Sequence, residues 1–244
     1  HVSGGGMSGL QLASIHGSVS IVSLLLDEGA DINHISKNGR SSLYFAASYN
    51  HVEVVKLLLD RGADHDIRDA DTGMSALFVA SASLDATVCE LLVGHGVDVN
   101  TLDTLNRNAL CVAAQSDSIV VCKYLLSKGA NINCVDSFGG TPIVTSIMHG
   151  FDSICKLFLD SGASVVDVGA DQQGALHCAA RGGHDGICEW LLDKGCDVNG
   201  MDKDKYAPLV AACRYGHEST CVLLLVILPY ILLRIMALLH YVNC

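Results

Sequence analysis

Cysteine recurs every 33 residues, at Cys89, Cys122, Cys155, Cys188 and Cys221, and the same phase continues upstream, past one inserted residue, to Val55 and Val22. A position that accepts Val or Cys is small, apolar and buried. The period is therefore structural: one supersecondary unit is copied along the chain.

A second set of features keeps the same phase. Segments starting at Ser8, Ser41, Ser75, Asn108, Thr141, Gly174 and Ala207 carry an apolar residue two positions on (Leu10, Leu43, Leu77, Leu110, Ile143, Leu176, Leu209). Three further on stands a small residue, Ala13, Ala46, Ala80, Ala113, Ser146, Ala179 or Ala212. Most of the leading residues are Ser, Thr or Asn, whose side-chain oxygens cap the free amides of a helix start. Pro142 follows Thr141 at a first helical position, where no donor is lost. The spacing predicts a helix of about eight residues, a short break and a second apolar helix ending at Gly29, Gly62, Gly96, Gly129, Gly162 or Gly195. Those glycines suit the left-handed conformation that stops a helix. Asp and Asn beyond them predict a tight, hairpin-like turn. The single insertion falls in Asp69-Ala70-Asp71-Thr72-Gly73, where a loop absorbs it. Two short helices and a turn cannot enclose a core alone, so the units must stack as a solenoid.

These residues resemble the ankyrin repeat, whose signature T-P-L-H-x-A is approached by Thr141-Pro142-Ile143 and Leu176-His177-Cys178-Ala179. The resemblance covers about seven units from His1 to Leu225 and implies an all-α ankyrin solenoid joined by β-hairpin-like turns. The signature His is replaced by Gln11, Tyr44, Phe78, Cys111, Val144 and Val210, which predicts weakened hydrogen bonding at those turns.

Composition narrows the partners. At 244 residues and 50% hydrophobic content the chain reads as one elongated domain, 1–225, with incomplete first and last units, and a separate apolar tail, 226–244. A net charge of -11 without a Lys/Arg run repels a phosphate backbone and argues against nucleic acid. Packed helices stand about 8 to 10 Å apart, beyond the roughly 7 Å reach of a disulfide. The ladder thiols are thus expected free, as in the cytoplasm or nucleus. The start at His1, with neither Met nor a first hairpin, reads as a fragment.

No pattern calls for catalysis, a cofactor or a metal. His177, Cys178, His184 and Cys188 have zinc-like spacing, yet His177, His184 and Cys188 also have places in the repeat. His217-Glu218 lacks a second His, no phosphate loop is present, and the Asp69 loop lacks the third ligand, the correctly placed Gly and the closing Glu of a calcium site.

By resemblance, partner contacts belong to a concave face of turn tips and first-helix ends. Carried over to this sequence, the candidates are Tyr49, Met74, Arg107, Phe138, Met148, Arg181, Tyr206, Arg214 and Tyr215, in residue types favoured at binding hot spots. The resemblance also marks Asn33, Asn100, Asn133 and Asn199 as asparaginyl-hydroxylation candidates beside a purely structural turn role.

The repeat ends where Leu228 and Pro229 replace the expected Gly-Ala. Val222 to Leu239 is nearly all apolar and reaches the lower edge of a membrane span, with Arg234 inside it. Three readings stay open: a non-native end, a membrane-proximal segment, or a helix packed on the last repeat or a partner. The expected function is a non-enzymatic scaffold or adaptor that binds another protein. The alternative is the regulatory ankyrin domain of a larger membrane protein of channel or acyltransferase type, and a third is an ankyrin-bearing kinase or ubiquitin-ligase adaptor.

Overall fold

The computed structural model describes residues 6–164 and 174–226. Its chain divides into two compact units, His1–Ser137 and Phe138–Cys244, with the boundary inside an inter-repeat turn.

The first unit holds four helix pairs: α1 (Gly9–Ile15) with α2 (Val19–Asp27), α3 (Ser42–Ser48) with α4 (Val52–Asp60), α5 (Ala76–Ala80) with α6 (Thr87–Gly94), and α7 (Ala109–Gln115) with α8 (Ile119–Ser127). First helices pack on first helices, α1 on α3, α3 on α5 and α5 on α7, while α2 packs on α4 and α4 on α6. The second unit holds α9 (Pro142–His149) with α10 (Asp152–Asp160), α11 (Ala175–Gly182) with α12 (Asp185–Asp193), and α13 (Pro208–Tyr215) followed by α14, helical over residues 218–226. There α9 and α13 both contact α11, and α10 contacts α12.

The periodic positions form the cores. Ladder residues Val22, Val55, Cys89, Cys122, Cys155 and Cys188 are buried, as are the seven small residues from Ala13 to Ala212 and the apolar positions from Leu10 to Leu176. Leu209 and Cys221, in the last repeat, are only partly covered. All six second-helix glycines have positive φ, from 80° at Gly29 to 98° at Gly96. The next amide returns to a carbonyl five residues back, as in Ala30 to Leu25 and Ala163 to Phe158, both 2.9 Å.

Some expectations are corrected. All seven leading residues occupy the N-cap position, but only Ser8, Ser41 and Asn108 accept a helix amide through the side chain, from Gln11, Tyr44 and Cys111. The hydroxyls of Ser75 and Thr141 are buried without a partner among the described residues, and nothing in the structure explains it. Helix α5 has five residues instead of about eight. There the Ser81 hydroxyl turns back to the Leu77 carbonyl at 2.7 Å, and Asp85 accepts the Thr87 amide to begin α6. The inter-repeat turns close by hairpin-type bonds, Ser36 to Arg40, Asp103 to Arg107 and Asp202 to Tyr206, without a regular strand among the described residues. The inserted residue widens one tip, which closes from Asp69 to Met74 instead.

The ten described cysteines are free; Cys244 lies outside the described residues. Burial pushes the Cys89 and Cys155 thiols up to about 11 and the Cys122 and Cys188 thiols up to about 12. Because the thiolate is the reactive form, native protein treated with a thiol reagent at neutral pH is expected to label Cys213, which is exposed, well before the buried ladder thiols. Peptide mapping checks this. Equal labelling of Cys89, Cys122, Cys155, Cys188 and Cys213 in the folded protein would refute the core assignment.

Candidate functional site

The turn tips carry their own polar framework. In the first unit, Asp69 Oδ1 accepts the Asp71 and Thr72 amides and the Thr72 hydroxyl, while Oδ2 pairs with Arg40 Nε of the preceding tip. Burial alone raises the Asp69 pKa, but the hydrogen bonds from Arg40 and Thr72 outweigh it and hold the carboxyl below its ordinary range. Arg107 is held by Asp103 in the same way, through Nε at 2.9 Å and Nη2 at 2.8 Å. Successive tips of this unit are tied by backbone bonds from Ala70 to Asn38, Thr104 to Thr72, and Ser137 to Leu105.

First-helix ends are fixed by histidines of the following repeat. His51 Nε2 lies 2.8 Å from the Ile15 carbonyl; in the second unit His217 Nε2 lies 2.8 Å from the Arg181 carbonyl and His184 Nε2 3.5 Å from that of Met148. Each ring packs on the turn glycine of the repeat before it: a Cβ on Gly17, Gly150 or Gly183 would come within 2.6 Å of the ring of His51, His184 or His217. His51 and His217 hold first-helix ends, a role not expected from the sequence, where His217 figured only in an incomplete His-Glu motif. Their signal was recurrence in the repeat phase of His184.

His177 does the analogous work at a tip, with Nε2 2.9 Å from the Tyr206 carbonyl. Gln11 replaces that His without losing the bond, because its Nε2 donates to the carbonyls of Arg40 at 2.8 Å and His34 at 3.0 Å. The expected weakening is therefore absent at Gln11. Among the described residues no group of three His, Cys, Asp or Glu could hold a metal. Asn33 and Asn100 accept the backbone amides of Asp64 and Asn131 from the next repeat.

The nine candidates fall into different settings. In the first unit, Tyr49 is exposed at the end of α3 and stacks on His51, with centroids 6.1 Å apart. Met74 is half-buried at the widened tip, and Arg107 is tied to Asp103. In the second unit, Phe138 (68% exposed) and Met148 (50%) stand at a tip and at the end of α9. The remaining four converge. Arg181 on α11, Tyr206 at the tip, and Arg214 and Tyr215 at the end of α13 line one hollow of about 50 Å³, together with His177, Asp202, Val210 and Ala211. The Arg214 guanidinium lies 6.0 Å from the Tyr206 ring centroid, a cation–π contact.

No helix among the described residues is long and apolar enough to cross a membrane. Most of Val222 to Leu239 lies outside the described residues, so its three readings stand as they were. The family model for ankyrin repeats, in three copies, matches residues 2–69, 65–136, 128–202 and 164–230. No curated protein matches the chain.

Two outcomes test this framework. Gly183→Ala is expected to lower stability by about 1–3 kcal/mol in denaturant unfolding, since a left-handed backbone and the His217 ring both oppose a Cβ. Asp69→Ala is expected to cost about 2 kcal/mol at neutral pH. Because the folded carboxyl's pKa is depressed, the wild-type advantage is full above about pH 4 and shrinks as the pH falls through the folded pKa. Parallel acid titrations of Tm check the sign; an advantage that grows on acidification would refute it.

Proposed function

The chain belongs to the ankyrin repeat family, whose repeats generally serve protein–protein interaction, and we propose that it is a non-catalytic scaffold or adaptor that binds another protein. Its binding face consists of the tips and first-helix ends of the repeats, the concave face of the family, with Tyr49, Met74, Arg107, Phe138, Met148, Arg181, Tyr206, Arg214 and Tyr215 as contact residues. The array is assigned to residues 1–225, apart from the tail at 226–244.

One observation carries the reading. Beyond the buried ladder and the tip ion pairs, the rings of Tyr49, Phe138, Tyr206 and Tyr215 and the thioether of Met148 stand exposed at the tips and first-helix ends. Aromatic and Met side chains of that kind are enriched at interfaces, where rigid apolar surface is covered by a partner. Arg107 contributes least, since Asp103 already holds its guanidinium.

Affinity capture followed by mass spectrometry tests it with three baits: the wild type, a face variant (Tyr49→Ala, Met148→Ala, Tyr215→Ala) and a back variant of the second helices (Leu24→Ser, Val120→Ser). A partner retained by the back variant and lost by the face variant is the expected result. A central aromatic contact is worth about 2 kcal/mol, or about thirtyfold in affinity. Loss only in the back variant would move the interface to the second helices.

A further inference from the structure

We infer that the hollow between α11 and α13 receives a carboxylate side chain from an acidic peptide segment of the partner. This rests on the scaffold reading above and names the chemistry one part of that face recognises.

Arginine usage carries the inference. Three of the six described arginines are ion-paired inside the protein, Arg40 with Asp69, Arg61 with Asp27 and Arg107 with Asp103. Arg68 donates to the carbonyls of Leu102 and Gly73. The last two, Arg181 and Arg214, form no ion pair among the described residues, and both line this hollow. In a chain of net charge -11, acidic groups are plentiful. Two guanidiniums without one, on the same exposed depression, mark where an outside acid is favoured.

The walls suit that ligand. Among the described residues Asp202 is the one acid lining the hollow, and its Oδ1 already accepts the Asp204 and Tyr206 amides at 3.0 and 2.8 Å. It leaves a net charge of +1 from the two arginines and one aspartate. His177 is bonded to the Tyr206 carbonyl, and Tyr206 lies under Arg214, which fixes the rim. A volume of about 50 Å³ holds a few waters, which a carboxylate displaces. Tyr206 and Tyr215 supply flat apolar surface for the peptide flanking the acid.

The test is selection of a displayed random-peptide library on the full chain, run in parallel on wild type, Arg181→Gln with Arg214→Gln, and Arg181→Lys with Arg214→Lys, each checked for folding by circular dichroism. Wild type is expected to enrich Asp and Glu, the Gln variant to lose that enrichment, and the Lys variant to retain much of it. Selected acidic peptides should bind about two- to fivefold more weakly for each arginine removed. That loss should shrink as salt rises from about 50 to about 300 mM. Peptides without an acidic excess, or the same acidic excess on the Gln variant, would overturn the inference. If such peptides lose binding in the Tyr49→Ala, Met148→Ala, Tyr215→Ala variant, the scaffold reading survives while the acidic assignment falls. Failure to select any peptide counts against both.

Discussion

A pair of helices drawn from 33 residues has apolar surface on two sides and no second layer to cover it, so each pair depends on its neighbours for burial. Everything else in the two units follows from that dependence. First helices pack on first helices and second helices on second helices, with the small residues and the ladder residues from Val22 to Cys188 buried. Val22, Val55 and the cysteines from Cys89 to Cys188 are interchangeable in this role because burial asks only for a small apolar group.

Stacking also settles the polar accounts at the ends of the helices. A short helix leaves carbonyls without partners, and here the next repeat supplies them. His217 reaches the end of α11, His51 the end of α1, and Gln11 or His177 the tip that follows it. The turn glycines are constrained twice, by left-handed backbone and by the imidazole lying against them. The same bonds that hold neighbours together set where Met148 and Arg181 stand at the candidate face.

The electrostatic pattern has a similar logic. Tip arginines in the first unit are neutralised locally by Asp69 and Asp103, which stiffens the tips and leaves less charge for recognition. Arg181 and Arg214 keep theirs. Two arginines of the same residue type thus do different work in different repeats, one bracing a turn and the other facing outward.

The period, the two helices per unit, the stop glycines and the buried ladder were all legible in the sequence, because each depends on a residue type at a fixed local spacing. The nine candidate positions were legible as repeat positions for the same reason. Their settings were not. The cap bonds missing at Ser75 and Thr141 depend on side-chain geometry, which residue type alone leaves undetermined. That Gln11 does the work of a His depends on the reach of its amide to the Arg40 carbonyl, 29 residues away. Arg107 and Arg181 look alike in sequence, and only the packed tip shows Asp103 closing on one of them. The hollow joins residues from α11, α13 and the tip between them, brought together by stacking rather than by local pattern. Local chemistry determined the repeat; the contacts between repeats decided which side chains stand exposed at the candidate face.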